Sequence, residues 1–283
     1  MNVLEVKNLV KKYEKFELEN VSFHVKEGTI CGFIGRNGAG KTTTLKSLLN
    51  QVHPEAGSIQ FFGKEFKENE MEIKKQIGFV SGGINFYPKK TLKTLTSVTK
   101  KFYENWDEEA YRHYLELFRL DEDKKADQLS EGMKVKYLLT LAMSHKARFL
   151  ILDEPTSGLD PVSRDELLDI FIDLVEQEGV TILFSTHITS DLDKCADAIT
   201  YIRNGKIVSC ESIKTFIGSY RKVKGLETAL SEQMENKLIG LRKHAGEFQA
   251  IINVKDVGLL QDTTDIHVSE ALLEDIMIHM EKE

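Results

Sequence analysis

The clearest chemistry in this chain is carried by Gly35-Arg36-Asn37-Gly38-Ala39-Gly40-Lys41-Thr42, which fits G-x-x-x-x-G-K-[ST]. Glycines at those places let the backbone close around phosphate with its N–H groups turned inward, an approach that side chains at positive φ would block. Lys41 is expected to reach the β- and γ-phosphates and the Thr42 hydroxyl to ligate Mg²⁺, with Thr43 beside it. A helix beginning near Lys41 adds the positive end of its dipole. Further along, Phe149-Leu150-Ile151-Leu152 leads into Asp153-Glu154. Two adjacent carboxylates are a poor end for an apolar strand unless they work. Asp153 is expected to hold Mg²⁺, through water, and Glu154 to polarise an attacking water. Read alone, an acidic pair can simply terminate a strand; the phosphate loop is what gives it a task.

The elements that must carry these residues follow from periodicity. Leu4–Val6, Val21–His24 and Thr29–Ile34 read as short strands, the last running into the loop and then into a helix over Lys41–Asn50, where Leu45, Leu48 and Leu49 have helical spacing. A second strand pair is expected at Ser58–Phe62 and Ile77–Ser81. From about Thr91 to His145 the pattern is helical, an insertion that includes a helix near Asp107–Phe118 with Tyr111, Leu115 and Phe118 along one face. Phe149–Leu152 and Thr181–Phe184 read as strands buried on both faces, with a helix over Arg164–Glu178 between them. This alternation predicts a parallel α/β core. After about Lys222 it breaks: Phe248–Val254 and Ile266–Val268 suggest strands and Glu270–Met280 an amphipathic helix. Residues 222–283 are therefore expected to form a small α+β appendage to a first domain of about 1–220.

Composition narrows the classes. With 38 Lys plus Arg against 45 Asp plus Glu, the net charge of −7 offers no footprint for nucleic acid. The N-terminal residues lack a basic stretch followed by an apolar run, and no segment approaches the ~20 apolar residues of a spanning helix. A cytoplasmic protein is expected. Cys31, Cys195 and Cys210 have no metal-site spacing and are expected as reduced thiols.

Adding Leu129-Ser130-Glu131-Gly132-Met133 makes the set resemble the ATP-binding-cassette family, whose signature is usually written LSGGQ. The resemblance covers about residues 1–220, in order: Tyr13, the phosphate loop, the signature, Asp153-Glu154, Ser157-Gly158-Leu159-Asp160 and His187. It implies an α/β fold with a P-loop NTPase core, an antiparallel β subdomain, a helical insertion at about 83–145, and the C-terminal appendage. It also implies ATP and Mg²⁺ as ligands, a second cassette paired head to tail, and a separate integral membrane permease that holds the chain at the inner face of the membrane. Ser130 and Gly132 would contact the γ-phosphate of the partner's nucleotide, although Ser130 is in its own right a helix N-cap. Glu131 replaces a glycine and is expected to point away from that nucleotide. Ser157–Asp160 would link the two sites, His187 would contact the γ-phosphate, and Tyr13 would stack on adenine, with Phe16 an equally placed aromatic. Phe184–Asp191 and Glu270–Glu283 look most like bacterial multidrug or antibiotic-export cassettes.

One position departs from the family. Where most members carry a Mg²⁺-ligating glutamine that senses the membrane subunit, this chain has Gly82. Phe86, Tyr87, Phe102, Tyr103 and Trp106 could line a groove for the membrane subunit. The alternative is a soluble cassette ATPase not coupled to transport, though the chain has neither a second cassette nor a long coiled-coil insertion. A nucleotide-binding regulator is a third reading.

Overall fold

The computed structural model describes residues 1–81, 87–260 and 265–282. Two compact units divide between Cys210 and Glu211. The first runs β1 (Asn2–Tyr13), β2 (Phe16–Lys26), β3 (Ile30–Ile34), α1 (Lys41–Leu48), β4 (Ala56–Phe61), β5 (Lys64–Glu65), α2 (Phe66–Lys74) and β6 (Ile77–Ser81). It continues through α3 (Leu92–Thr99), α4 (Glu108–Leu117), α5 (Glu131–Ser144), β7 (Phe149–Asp153), α6 (Pro161–Glu178), β8 (Thr181–Thr186), α7 (Thr189–Cys195), β9 (Ala198–Arg203) and β10 (Lys206–Ser212).

Two sheets share this unit, one antiparallel in the order β2-β1-β4-β5 and one in the order β10-β9-β3-β8-β7-β6. Strands β9, β3, β8, β7 and β6 are parallel to their neighbours. Every residue of β3, β7 and β8 is buried, which accounts for their unbroken apolar runs. Leu4, Leu18 and Phe61 from the antiparallel sheet join Phe33 and Phe149 from the parallel one, and Leu45 and Leu48 of α1, in one core. The Phe61 and Phe149 rings stand 6.1 Å apart across it.

Three expectations need correcting. Strands β1 and β2 are far longer than Leu4–Val6 and Val21–His24. They pair from Asn2↔Lys26 to Tyr13↔Phe16 with register shifts, and Asn8 and Asn20 have φ of 51° and 50°, so the period of two is broken where a strand continues. The strands at Ser58–Phe62 and Ile77–Ser81 are not a pair: β4 belongs to the antiparallel sheet and β6 to the edge of the parallel one. On α4 the buried face is Tyr111, Tyr114 and Phe118, with Leu115 only half-buried.

Caps set the helix ends that matter most. Asp160 accepts from the amides of Val162 and Ser163 with Pro161 in the first turn of α6, and Gly179, at φ 67°, closes that helix in the left-handed region. Asp107 caps α4 likewise. The helical insertion is tied by Thr96, whose hydroxyl lies 3.0 Å from the Tyr111 hydroxyl and 2.9 Å from that of Tyr137.

His145, just past α5, is 6% exposed and stacked on Tyr103 at 3.9 Å. Burial pushes its imidazole down to about 4 from an ordinary 6.5. The unfolded chain takes up this proton near 6.5 and the fold does not, so the associated stability is complete above 6.5 and is lost as pH falls toward about 4. The loss amounts to roughly 3 kcal/mol. His145→Phe keeps a ring against Tyr103 and removes the titration. Calorimetric melting is expected to fall more steeply for the wild type than for this variant between pH 6.5 and 4, and parallel curves would refute the assignment.

The second unit contains α8 (Ile213–Gly218), β11 (Tyr220–Leu226), α9 (Glu232–Glu235), β12 (Leu238–His244), β13 (Glu247–Asn253), β14 (Ile266–Glu270) and α10 (Leu273–Met280). Its antiparallel sheet has the order β12-β13-β11-β14 around Val223, Phe248, Ala250 and Ile252. The boundary expected near Tyr220 falls at the start of β11, after α8, whereas the two units divide between Cys210 and Glu211. Among the described residues no helix is long and apolar enough to cross a membrane.

Candidate functional site

Parallel register brings the chosen residues to one sheet edge. Ile34 pairs with Thr186 and Asp153 with Ser185, so the loop after β3, the acidic pair at the end of β7 and His187 after β8 leave the sheet at its C-terminal edge. The loop needs its glycines. Gly40 has φ 111°, and a Cβ there would lie 2.7 Å from Leu18 Cδ2 and 2.8 Å from Phe16 Cζ. At Gly35 a Cβ would meet the Ile202 carbonyl at 2.3 Å.

Lys41 is 5% exposed, and its Nζ donates to the carbonyls of Gly35 at 2.7 Å and Arg36 at 3.3 Å. The same ammonium is 3.1 Å from Glu154 Oε1, while Glu154 Oε2 is 2.9 Å from His187 Nδ1. Glu154 has φ 51°, an uncommon conformation for a carboxylate residue, and its amide donates to Ser185 Oγ at 2.9 Å. Asp153 Oδ1 accepts from Thr42 Oγ1 at 3.1 Å and from Ser185 Oγ at 2.8 Å. Thr42 and Asp153 thus present hard oxygen donors beside one another at the mouth of the loop, a donor set that fits Mg²⁺.

A cavity of about 610 Å³ opens over these groups, with Phe16, Asn37, Gly38, Thr43 and Ser157 in its wall. Lys15, Arg36 and Lys41 face it against the single carboxylate Glu154, a balance that suits a polyanion. Another groove, of about 490 Å³, lies between α4, α5 and α6 and holds none of the residues chosen for chemistry.

The remaining expected residues stand elsewhere. Ala39 is buried inside the loop. Tyr13, at the end of β1, is 48% exposed with Lys11 Nζ over its ring at 5.5 Å, and the aromatic in the cavity wall is Phe16. Ser130 caps α5, accepting from the Met133 amide at 3.2 Å, and buried Gly132 has room for a Cβ 3.6 Å from Leu159 Cδ2. Asp160 caps α6, and the Ser163 hydroxyl and neighbouring amides hold its carboxyl below the usual range. Ser130, Gly132 and Asp160 do not line the cavity. Glu131 turns its carboxylate to Lys134 Nζ at 2.6 Å. Gly82 and Phe86 lie outside the described residues.

Sequence reasoning missed Ser185, which ties Asp153 to Glu154. Its only signal is a pair of hydroxyl residues, Ser185-Thr186, ending an apolar strand.

Residues 18–157 match the family model described as ABC transporter. The chain is 34% identical over 242 residues to the bacitracin transport ATP-binding protein BcrA of Bacillus licheniformis, covering 84% of this chain and 78% of that protein. It is 33% identical over 213 residues to the Nod factor export ATP-binding protein I of Burkholderia orbicola, covering 73% and 69%. Among solved structures, an ATP-binding subunit of an ABC transporter superposes with a TM-score of 0.67 at 28% identity, covering 75% of this chain and 91% of that one.

Proposed function

This chain belongs to the ABC transporter family as an ATP-binding, ATP-hydrolysing subunit, and from that premise we propose that it drives an exporter whose membrane path is a separate permease chain. The observation that carries the hydrolytic reading is Glu154, oriented between Lys41 and His187 above the Thr42–Asp153 pair. The loop amides and Lys41 bind the phosphates; Phe16 or Tyr13 takes the base. Thr42 and Asp153 would hold Mg²⁺, which when bound draws charge from the phosphate oxygens. Glu154 Oε2 accepts the proton of the attacking water, and His187 keeps that carboxylate oriented and faces the γ-phosphate.

Ser130 and Gly132 stand outside the cavity of their own chain, which supports a role at the nucleotide of a second cassette, with Ser157–Asp160 joining the two sites. The pairing of Glu131 with Lys134 keeps its carboxylate from opposing that nucleotide uncompensated. Export is favoured by the relatives, of which one is named for bacitracin transport and one for Nod factor export. Cargo is selected by the permease. Among the described residues, Tyr87 and Phe102, 69% and 70% exposed within the helical insertion, are aromatics placed to meet it. Tyr103 is instead stacked on His145, and Trp106 packs 5.5 Å from Tyr111. The chain would accordingly sit in the cytoplasm, peripheral to the membrane.

Affinity purification of the full chain from membranes of its own host tests this. An integral membrane protein is expected to co-purify in stoichiometric amount, and to be lost on substituting Tyr87 and Phe102 with Ala. A soluble ATPase alone, with no membrane protein retained, would replace the transporter reading with that of an uncoupled cassette.

A further inference from the structure

Asp191 is a buried carboxylate that the hydrolytic reading does not use. It lies in α7, is 1% exposed, and gathers side chains from three other segments. Its Oδ2 accepts from Thr156 Oγ1 at 2.6 Å and from Thr186 Oγ1 at 3.3 Å, and both threonines are fully buried. Thr186 Oγ1 in turn accepts from the Ile188 amide at 3.0 Å, so the backbone on both sides of His187 is pinned to the same carboxylate. Thr156 is two residues beyond Glu154, and its carbonyl accepts from the Leu159 amide at 3.3 Å. Arg164, in α6, donates to the Leu159 carbonyl at 3.4 Å and brings Nε to 4.0 Å from Asp191 Oδ1, with no hydrogen bond formed by either of those atoms.

We infer that Asp191 is a positioning residue for hydrolysis: through Thr156 and Thr186 it holds Glu154 and His187 in mutual register, and through Arg164 it ties them to the loop Ser157–Asp160. This rests on the reading of Glu154 as the group that activates water. The 2.9 Å contact between Glu154 and His187 joins side chains on two different strand ends, and a shift of either backbone breaks it. Burial makes the restraint stiff, because a carboxylate taken out of water must keep its donors. Asp191→Asn keeps the shape and removes the charge: the threonine hydroxyls keep an oxygen to donate to, but their hydrogen bonds lose the charge that strengthens them, and the ion pair with Arg164 is lost. A misplacement on the order of 1 Å at a catalytic group can cost up to about a hundredfold in rate.

The test compares ATP turnover and ATP bound per chain for the wild type, Asp191→Asn, Thr156→Val, Thr156→Ser and Glu154→Gln. Asp191→Asn and Thr156→Val are each expected to lower kcat about tenfold, with KM for ATP and bound ATP per chain within about twofold of wild type. Thr156→Ser, which restores the hydroxyl, is expected to recover most of the rate. If Asp191→Asn does not fold, Thr156→Val against Thr156→Ser carries the same comparison. A kcat unchanged in both Asp191→Asn and Thr156→Val, while Glu154→Gln stops turnover, overturns this inference alone. So does a loss of bound ATP in proportion to the loss of rate, the mark of a purely structural role. Unaltered turnover in Glu154→Gln would instead overturn the hydrolytic reading beneath it.

Discussion

Replacing Glu154 with Gln is expected to lower ATP turnover by at least about a hundredfold, the lower end of what a positioned general base contributes, while ATP still binds. The amide is nearly isosteric, and its oxygen can still accept from His187, so the geometry at the end of β7 is retained and only the proton acceptor is lost. The structure offers a competing role, because Glu154 is also the counter-ion of the buried Lys41 at 3.1 Å. The two roles separate cleanly. A base mutant binds ATP and accumulates the ATP-bound dimer, seen by gel filtration in the presence of MgATP. A lost counter-ion would instead alter ATP affinity and leave turnover of bound nucleotide little changed. Phosphate release and calorimetry on the same preparation decide between them.

Lys41→Ala is expected to weaken MgATP binding by about a hundredfold. A hydrogen bond to a charged group contributes roughly 1.5–3 kcal/mol, and each 1.4 kcal/mol is about tenfold in affinity. Two further effects act in the same direction. The carbonyls of Gly35 and Arg36 lose the donor that draws the loop closed. Glu154 is left without its cation, and an uncompensated carboxylate then faces the incoming phosphates. Calorimetric titration with MgATP measures the effect, and an affinity within about threefold of wild type would remove Lys41 from the phosphate site. Because the substitution also relieves a buried charge, the melting temperature of the nucleotide-free variant serves as the control for folding.

The chemistry of the site was largely legible along the chain because its parts are local. A phosphate loop is eight consecutive residues, and a strand that ends in Asp153-Glu154 declares itself by contrast with the apolar run before it. The Ser130 cap was readable for the same reason, since its hydroxyl accepts from an amide three residues on, whereas the Asp160 cap was not read. Strand extent was not. The polar stretches and left-handed Asn8 and Asn20 interrupt the alternation in β1 and β2, and only cross-strand pairing carries those strands onward. Nor could an apolar segment say which sheet it joins. Both β4 and β6 read simply as strands, yet β4 pairs with β1 and β6 with β7. Pairing depends on packing partners far away in the chain rather than on the strand's own pattern.

By itself the sequence picked out the loop proposed to bind a nucleotide's phosphates and the acid pair proposed to act on them, since each is a short contiguous segment. Tertiary structure alone decided how the segments meet. Parallel register across β3, β8 and β7 brings Lys41, Glu154 and His187 into one chain of contacts, Ser185 bridges the two acids, and Asp191 binds the threonines that follow Glu154 and precede His187. The contacts of Glu154 with Ser185 and of Thr156 with Asp191 span 31 and 35 residues, and nothing in a local pattern specifies a hydrogen bond at that range. It is set when the buried strands close on a common core and their ends are left with only each other as partners.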